Sequence, residues 1–217
     1  MVIRGQFLER PTVVASGGLY LDALSHRGDR RPGLLILAPH PSRGGSMDSP
    51  VCAELAFTVT QRGHPSLRFN YRGVGASQGE LSDRAACLED ARAALELLRA
   101  NLGAEPRVVV AGYDFGAEVA LDLALSGAGI EGVAVVAPVT GAYDFSALGR
   151  LNVPALVVVG HRDPNADRRM LGALCQESGD ELVVVPGADH VFSVGLTAVG
   201  RAVALFLAGE RAADALE

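Results

Sequence analysis

The chain has 217 residues, of which 49% are hydrophobic and 20% charged, and this length suits one domain with a sizeable core. A formal net charge of −6, with no basic stretch, argues against nucleic acid and anionic membrane surfaces as partners. The cationic side chains other than histidine are all arginine, which excludes Schiff-base chemistry on a lysine.

The predicted elements begin with alternating apolar segments around Ser16-Gly17-Gly18, which indicate an antiparallel hairpin within residues 1–26. Strands are then predicted at 33–38, 66–69, 107–111, 130–136, 155–159 and 182–185, and helices at 48–62, 83–101, 115–126, 166–177 and 194–208. This alternation predicts an α/β fold whose central sheet is mostly parallel and covered by helices on both faces.

The composition shows no internal repeat and no shift that would divide the chain, so residues 1–217 are predicted to form a single domain. The connection at 137–154 is too short for a lid domain and has room for a turn or a short helix. The polar tail at 210–217 is predicted to fray.

The three cysteines, Cys52, Cys87 and Cys175, lie far apart in apolar stretches. Their odd number and spacing predict buried free thiols in a reducing compartment rather than a disulfide framework or a metal site. The first eleven residues lack the apolar run of a signal peptide, and no window approaches the roughly 18 apolar residues of a membrane span. These features predict a soluble, cytoplasmic protein. They are compatible with a homodimer.

The segment Gly112-Tyr113-Asp114-Phe115-Gly116 follows an apolar strand and precedes a helix, which is the pattern of a nucleophile elbow. Glycines are expected on both sides because the turn is tight and a β-carbon at either position would clash. The turn would lift the side chain of Asp114 above the sheet. That position usually holds serine, so a carboxylate there changes which reactions are available.

Two further residues follow the ends of later strands in the order that such a site requires. Asp163 comes just after the predicted strand 155–159, and His190 comes just after the strand 182–185. The carboxyl ends of parallel strands meet at one edge of a sheet, so Asp114, Asp163 and His190 are predicted to converge there. Each residue alone would be read as a turn, cap or solvated residue; the ordered set predicts a catalytic site.

An oxyanion hole needs two backbone N–H groups aimed at one point. One is predicted at Phe115 and the other at Ser42, since Pro41 has no N–H group. A simple strand-to-helix turn, with Asp48 or Ser49 capping the helix, is the alternative interpretation of that loop. Candidate substrate contacts are His40, Tyr113 and Tyr143.

Over essentially its whole length the chain resembles the α/β-hydrolase superfamily, and more narrowly its small, lid-less, dienelactone-hydrolase-like branch. The resemblance is carried by His40-Pro41 with Gly44-Gly45-Ser46-Met47-Asp48, Arg72-Gly73-Val74-Gly75-Ala76-Ser77, the elbow, Tyr143-Asp144-Phe145 and Pro186-Gly187-Ala188-Asp189-His190. It implies that Asp114 stands at the nucleophile position, with Asp163 as the triad acid and His190 as the triad base. The aspartate departs from the usual serine and argues against esterase or peptidase activity.

A carboxylate suits attack at saturated carbon, because attack on an ester would give a high-energy anhydride. It would open an epoxide or displace halide and form an alkyl ester on Asp114, which water activated by His190 would then hydrolyse. Epoxide hydrolases and haloalkane dehalogenases of this superfamily resemble that arrangement. The chain lacks the tryptophan donors that bind halide, and it lacks lid tyrosines, for which Tyr143, Tyr113 or Tyr71 would have to substitute.

Three other interpretations stay open. Asp114 and His190 could instead transfer protons in a lyase, isomerase, epimerase or cyclase. The protein could be a non-catalytic binding protein on a hydrolase scaffold, or serine at position 114 could have been replaced by design. The sequence predicts a small-molecule substrate and no metal or organic cofactor, since it has neither ligand spacing nor a dinucleotide fingerprint.

Overall fold

The computed structural model describes residues 9–81 and 83–217. Its centre is an eight-stranded sheet. The strands are β1 (Arg10–Ser16), β2 (Leu19–His26), β3 (Gly33–Leu37), β4 (Ser66–Phe69), β5 (Val108–Tyr113), β6 (Gly132–Val136), β7 (Ala155–Gly160) and β8 (Glu181–Val185). The helices are α1 (Pro50–Gln61), α2 (Arg84–Leu102), α3 (Phe115–Leu125), α4 (Arg168–Ser178) and α5 (Leu196–Leu207). The predicted α/β architecture is confirmed.

The strand order across the sheet is β1-β2-β4-β3-β5-β6-β7-β8. The hairpin β1–β2 joins the sheet antiparallel, and the pairs from β4 to β8 are all parallel. The order reverses at β3, where the chain moves first to β4 and then back past β3 to β5. In an open parallel sheet such a reversal leaves a crevice beyond the carboxyl ends of the strands, so the crevice lies where β5 ends.

The two faces of the sheet are covered by different helices. Helix α1 packs against α5, and α2 packs against α3. Every residue of β3, β5, β6 and β7 is buried, as expected of parallel strands with helices on both sides. Apolar runs without alternation therefore predicted these strands correctly.

The C-terminal tail differs from the prediction. Ala212–Leu216 form a 3-10 helix that packs against α5 and β8 instead of fraying. Ala212 and Ala215 are buried, and the backbone N–H of Ala212 donates to Glu181 Oε2 at 2.8 Å. The segment looked polar, but its two small side chains fit against the closing helix. The part of the predicted hairpin within residues 1–8 lies outside the described residues.

The connection over residues 137–154 contains a 3-10 helix, Phe145–Arg150, that packs against α3 and α4. Its buried side chains are Phe145, Ala147 and Leu148. The connection therefore packs against the helices beside the sheet.

The three cysteines are free and buried, as predicted. Burial raises the pKa of Cys52 to about 12, so the neutral thiol is the form present at neutral pH. In the described part of the chain, no helix combines the length and apolar character that crossing a membrane would demand.

Candidate active site

The elbow has the backbone geometry that its glycines indicate. Asp114 adopts φ 54° and ψ −118°, a conformation that costs a side-chain-bearing residue about 1–3 kcal/mol. A β-carbon on Gly112 would lie 2.0 Å from the carbonyl oxygen of Gly116, and one on Gly116 would lie 2.3 Å from that of Leu37. The N–H of Asp114 donates to Val136 O at 3.0 Å. The turn therefore depends on both glycines and on the neighbouring strand β6.

The structure brings together the three residues predicted to form the site. His190 Nδ1 lies 2.9 Å from Asp163 Oδ2, and His190 Nε2 lies 3.5 Å from Asp114 Oδ1. The other carboxylate oxygen of Asp163 accepts the N–H of Asn165 at 2.8 Å. A carboxylate only accepts, so Nδ1 must carry a proton toward Asp163. This orientation directs Nε2 at Asp114.

A second contact holds the other carboxylate oxygen of Asp114. The backbone N–H of His40 donates to Asp114 Oδ2 at 3.3 Å. The backbone N–H of Phe115, the first residue of α3, helps to lower the pKa of the same carboxyl group. The two oxygens of Asp114 are thus distinguished: Oδ2 accepts the N–H of His40, and Oδ1 faces the imidazole of His190. Phe115, the other predicted donor, directly follows Asp114 as the first residue of α3, and its role as an oxyanion donor stays a prediction.

Ser42 was predicted as the second donor, and that prediction is wrong. Its N–H is directed away from Asp114 and donates to His40 Nδ1 at 3.2 Å. The cause is local: Pro41–Arg43 form a 3-10 turn that begins with the proline, and His40 caps its N-terminus. The donor is the residue before the proline, because Pro41 itself has no N–H group.

The hydrogen bonds of the site set its charges. Burial would raise the pKa of Asp114, but contacts with His190 and the N–H groups of His40 and Phe115 outweigh it, so the pKa lies below its usual range. Contacts with Asp114 and then Asp163 raise the pKa of His190 to about 9. At neutral pH these shifts favour a carboxylate at Asp114 and an imidazolium at His190.

We expect an NMR titration of His190 to show a pKa of about 9 and a clear fall on Asp114→Asn, which removes the first cause of the rise. A histidine with a raised pKa stabilises the fold most below its unfolded pKa of about 6.5, and the contribution is lost as pH rises through about 9. Denaturant unfolding should thus show alkaline destabilisation that is smaller in the variant. A wild-type pKa near 6.5 would contradict the arrangement.

Two cavities meet at Asp114. The larger, about 800 Å³, lies on the His190 side and has Tyr113, Phe192 and Leu196 among its lining residues. The smaller, about 270 Å³, lies toward the start of α2. The residues that line both are His40, Arg43 and Asp114. Most of the surface that lines the larger cavity is apolar.

The two tyrosines predicted to contact substrate lie in different surroundings. Tyr113 lines the larger cavity, and its hydroxyl donates to the backbone oxygen of His190 at 3.3 Å. The prediction for Tyr143 is wrong, because its hydroxyl donates to Asp122 Oδ1 at 2.8 Å and its ring packs on Phe145. It lines neither cavity at Asp114. Tyr71 is fully buried and likewise lines neither.

The smaller cavity contains charged residues that sequence reasoning missed. Glu118 is buried one turn after Asp114 on α3, and Arg84 Nη1 lies 3.4 Å from its Oε2. Arg84 also contacts Asp122, with Nε 3.0 Å from Oδ2. Burial raises the pKa of Glu118. The four-residue spacing from Asp114 was the available signal, since it places both carboxyl groups on one helix face.

The loop after β3, which supplies the His40 donor, is held in place by residues at the end of β4. Asn70 is buried and accepts the N–H of Met47 at 2.8 Å, and the guanidinium of Arg68 donates to the carbonyl of Met47. These contacts tie the end of β4 to the loop after β3.

Within residues 9–81 and 83–217, no group of three or more His, Cys, Asp and Glu side chains is arranged to hold a metal ion.

Fold and site together define an α/β hydrolase, and the comparisons agree. The family model described as an alpha/beta hydrolase domain matches residues 33–201, and the chain belongs to that family.

A curated relative, the uncharacterized protein RP471 of Rickettsia prowazekii (strain Madrid E), is 30% identical over 171 residues, covering 74% of this chain and 72% of that protein. The protein of unknown function ATU1826 from Agrobacterium tumefaciens has a similar structure, with a TM-score of 0.82, 28% identity and coverage of 92% and 95% of the two chains. XC6422 of Xanthomonas campestris, called a serine hydrolase without lid, gives a TM-score of 0.78 at 25% identity, covering 91% and 94%.

Proposed function

We propose that this protein is a hydrolase that uses Asp114 as a nucleophile on an epoxide or a similar alkyl carbon electrophile of a small molecule. The supporting observation is the asymmetric environment of the carboxylate. Oδ2 accepts the N–H of His40 at 3.3 Å, while Oδ1 lies 3.5 Å from His190 Nε2, and Asp114 lines both cavities. A carboxylate held ionised in this way needs no base before it attacks.

In the first step Asp114 Oδ1 forms a bond to one epoxide carbon, and the bond from that carbon to the ring oxygen breaks. The resulting alkoxide takes the Nε2 proton of the His190 imidazolium. The products are a neutral alkyl ester on Asp114 and a neutral imidazole. Loss of the Asp114 charge also removes the first cause that raises the pKa of His190, so the imidazole is now suited to act as a base.

In the second step His190 accepts a proton from water, and the hydroxide attacks the carboxyl carbon of Asp114. The oxyanion forms on Oδ2, where the N–H groups of His40 and Phe115 stabilise it. The bond from the carboxyl carbon to Oδ1 then breaks, and Oδ1 leaves with the diol. The departing alkoxide takes the proton of the carboxylic acid formed at Asp114, so the site again holds a carboxylate and the imidazolium of His190. The net reaction is the addition of water to an epoxide to give a diol.

A single-turnover reaction in ¹⁸O-water, with enzyme in excess over a styrene-oxide-like epoxide, tests this sequence. We expect the label in the peptide that carries Asp114 and none in the first diol released, because the diol's new oxygen comes from the carboxylate. Mass spectrometry of the peptide and of the product measures both.

Repeated turnover should then transfer label into the diol. A labelled first diol with an unlabelled Asp114 would show direct attack of water and would reject the nucleophile role.

The second candidate is an enzyme that transfers protons without a covalent intermediate, such as a lyase or an isomerase. It is favoured by one observation, the 3.5 Å separation of Asp114 Oδ1 and His190 Nε2, which places a carboxylate and an imidazolium side by side. Exchange of a substrate C–H hydrogen with ²H₂O, without any ester on Asp114, would distinguish it from the first.

A further inference from the structure

The ring of His40 lines the two cavities that meet at Asp114, and the steps above do not use it. Its Nδ1 lies 3.2 Å from the N–H of Ser42 and 2.8 Å from the Ser42 hydroxyl. A backbone N–H can only donate, so Nδ1 must present its lone pair. The ring is therefore neutral while this contact is made, and its proton is on Nε2.

The position of the ring leaves that Nε2–H group available. The imidazole packs on the ring of Phe115, with centroids 4.6 Å apart, and it lines both cavities that meet at Asp114. Within the described residues Nε2 has no hydrogen-bond partner, since both hydrogen bonds of the ring involve Nδ1. A fixed donor thus lies beside the nucleophile.

We propose that the Nε2–H group of His40 donates a hydrogen bond to the leaving oxygen of the substrate as its bond to carbon breaks. This inference rests on the proposed function and names the residue that replaces lid donors in its first step. Tyr143 cannot serve there, because its hydroxyl is bonded to Asp122. His40 stabilises the alkoxide without giving up its proton, which then comes from His190.

The neutral state of the His40 ring affects which leaving atoms the site favours. A hydrogen bond to a localised alkoxide is strong, whereas a halide ion spreads its charge and gains less from one donor. The site should therefore favour electrophiles whose leaving atom is oxygen and which keep that oxygen attached to the product. Epoxides fit this class, and the proposal assigns their ring oxygen to the side of the site that His40 faces.

The test is His40→Phe, which keeps a ring against Phe115 and keeps the backbone N–H that contacts Asp114. Rapid-quench mass spectrometry measures ester formation and ester hydrolysis separately. We expect epoxide ester formation to slow about 10- to 100-fold, with hydrolysis changed less than about threefold. His161→Phe, at an exposed loop histidine that lines neither cavity, is the matched control and should leave both rates unchanged.

Equal slowing of both steps in His40→Phe would indicate a general structural effect, and an unchanged rate of ester formation would reject the donor; either result overturns the inference while leaving Asp114 as the nucleophile. Failure of the wild-type protein to form any ester would instead reject the proposed function. ¹⁵N spectra of His40 give a readout independent of turnover: the Nε2–H tautomer is expected, and the Nδ1–H tautomer would contradict it.

Discussion

Replacing His190 with glutamine is expected to stop the reaction at the ester on Asp114. The variant loses the base that activates water, so hydrolysis of the ester should fall about 10²- to 10⁴-fold. Ester formation should fall much less, because Asp114 is already ionised and the open cleft lets solvent protonate the alkoxide. Intact-protein mass spectrometry after incubation with an epoxide should show a stable addition equal to the mass of the substrate.

Two control variants accompany the His190→Gln experiment. His161→Gln makes the same substitution at an exposed histidine without a side-chain partner in the described residues, and it should turn over normally. The double variant His190→Gln with Asp114→Asn should carry no added mass. An adduct that persists in the double variant would place the alkylated residue elsewhere and contradict the role of Asp114.

Changing Asp114 to serine is expected to exchange one activity for another. The carboxylate now accepts the N–H of His40, so its removal frees that donor and the N–H of Phe115 for the carbonyl oxygen of an ester substrate. The pKa of His190 should fall, since contact with Asp114 is the first cause of its rise, and the imidazole becomes a base for the hydroxyl. Epoxide turnover should disappear.

Hydrolysis of a p-nitrophenyl ester measures the gain, and each oxyanion donor is worth about 10²- to 10³-fold in such sites. Asp114→Ala provides the control, because it frees the same donors without supplying a nucleophile. Equal ester hydrolysis by the serine and alanine variants would show that the cradle is not a functional oxyanion hole.

The sequence predicted those parts of the fold and site that depend on periodicity and strand ends. Apolar runs located the buried strands, and the glycines at 112 and 116 located the turn that presents Asp114. Asp163 and His190 were placed correctly relative to each other because both follow parallel strands. That geometry follows from topology alone, so one sequence was enough.

The errors concern details that depend on loop geometry or on long-range packing. Ser42 was chosen as a donor by avoiding the proline, but the 3-10 turn directs its N–H onto the ring of His40. Tyr143 has the right position along the chain, yet Asp122 on α3 binds its hydroxyl. The tail packs because two alanines fit against α5, a match of shape that composition does not reveal.

The short connection at 137–154 places Val139 and Ala142 in the wall of the smaller cavity at Asp114, but none of its residues lines the larger one. The alkyl ester proposed on Asp114 would therefore have no cover from this connection on the side of the larger cavity. Hydroxylamine that entered this cavity would compete with water for the carboxyl carbon of the ester; its attack would release the diol and leave a hydroxamate at residue 114, which could not attack again. The same route that admits water to the ester would thus admit reagents that inactivate Asp114 irreversibly.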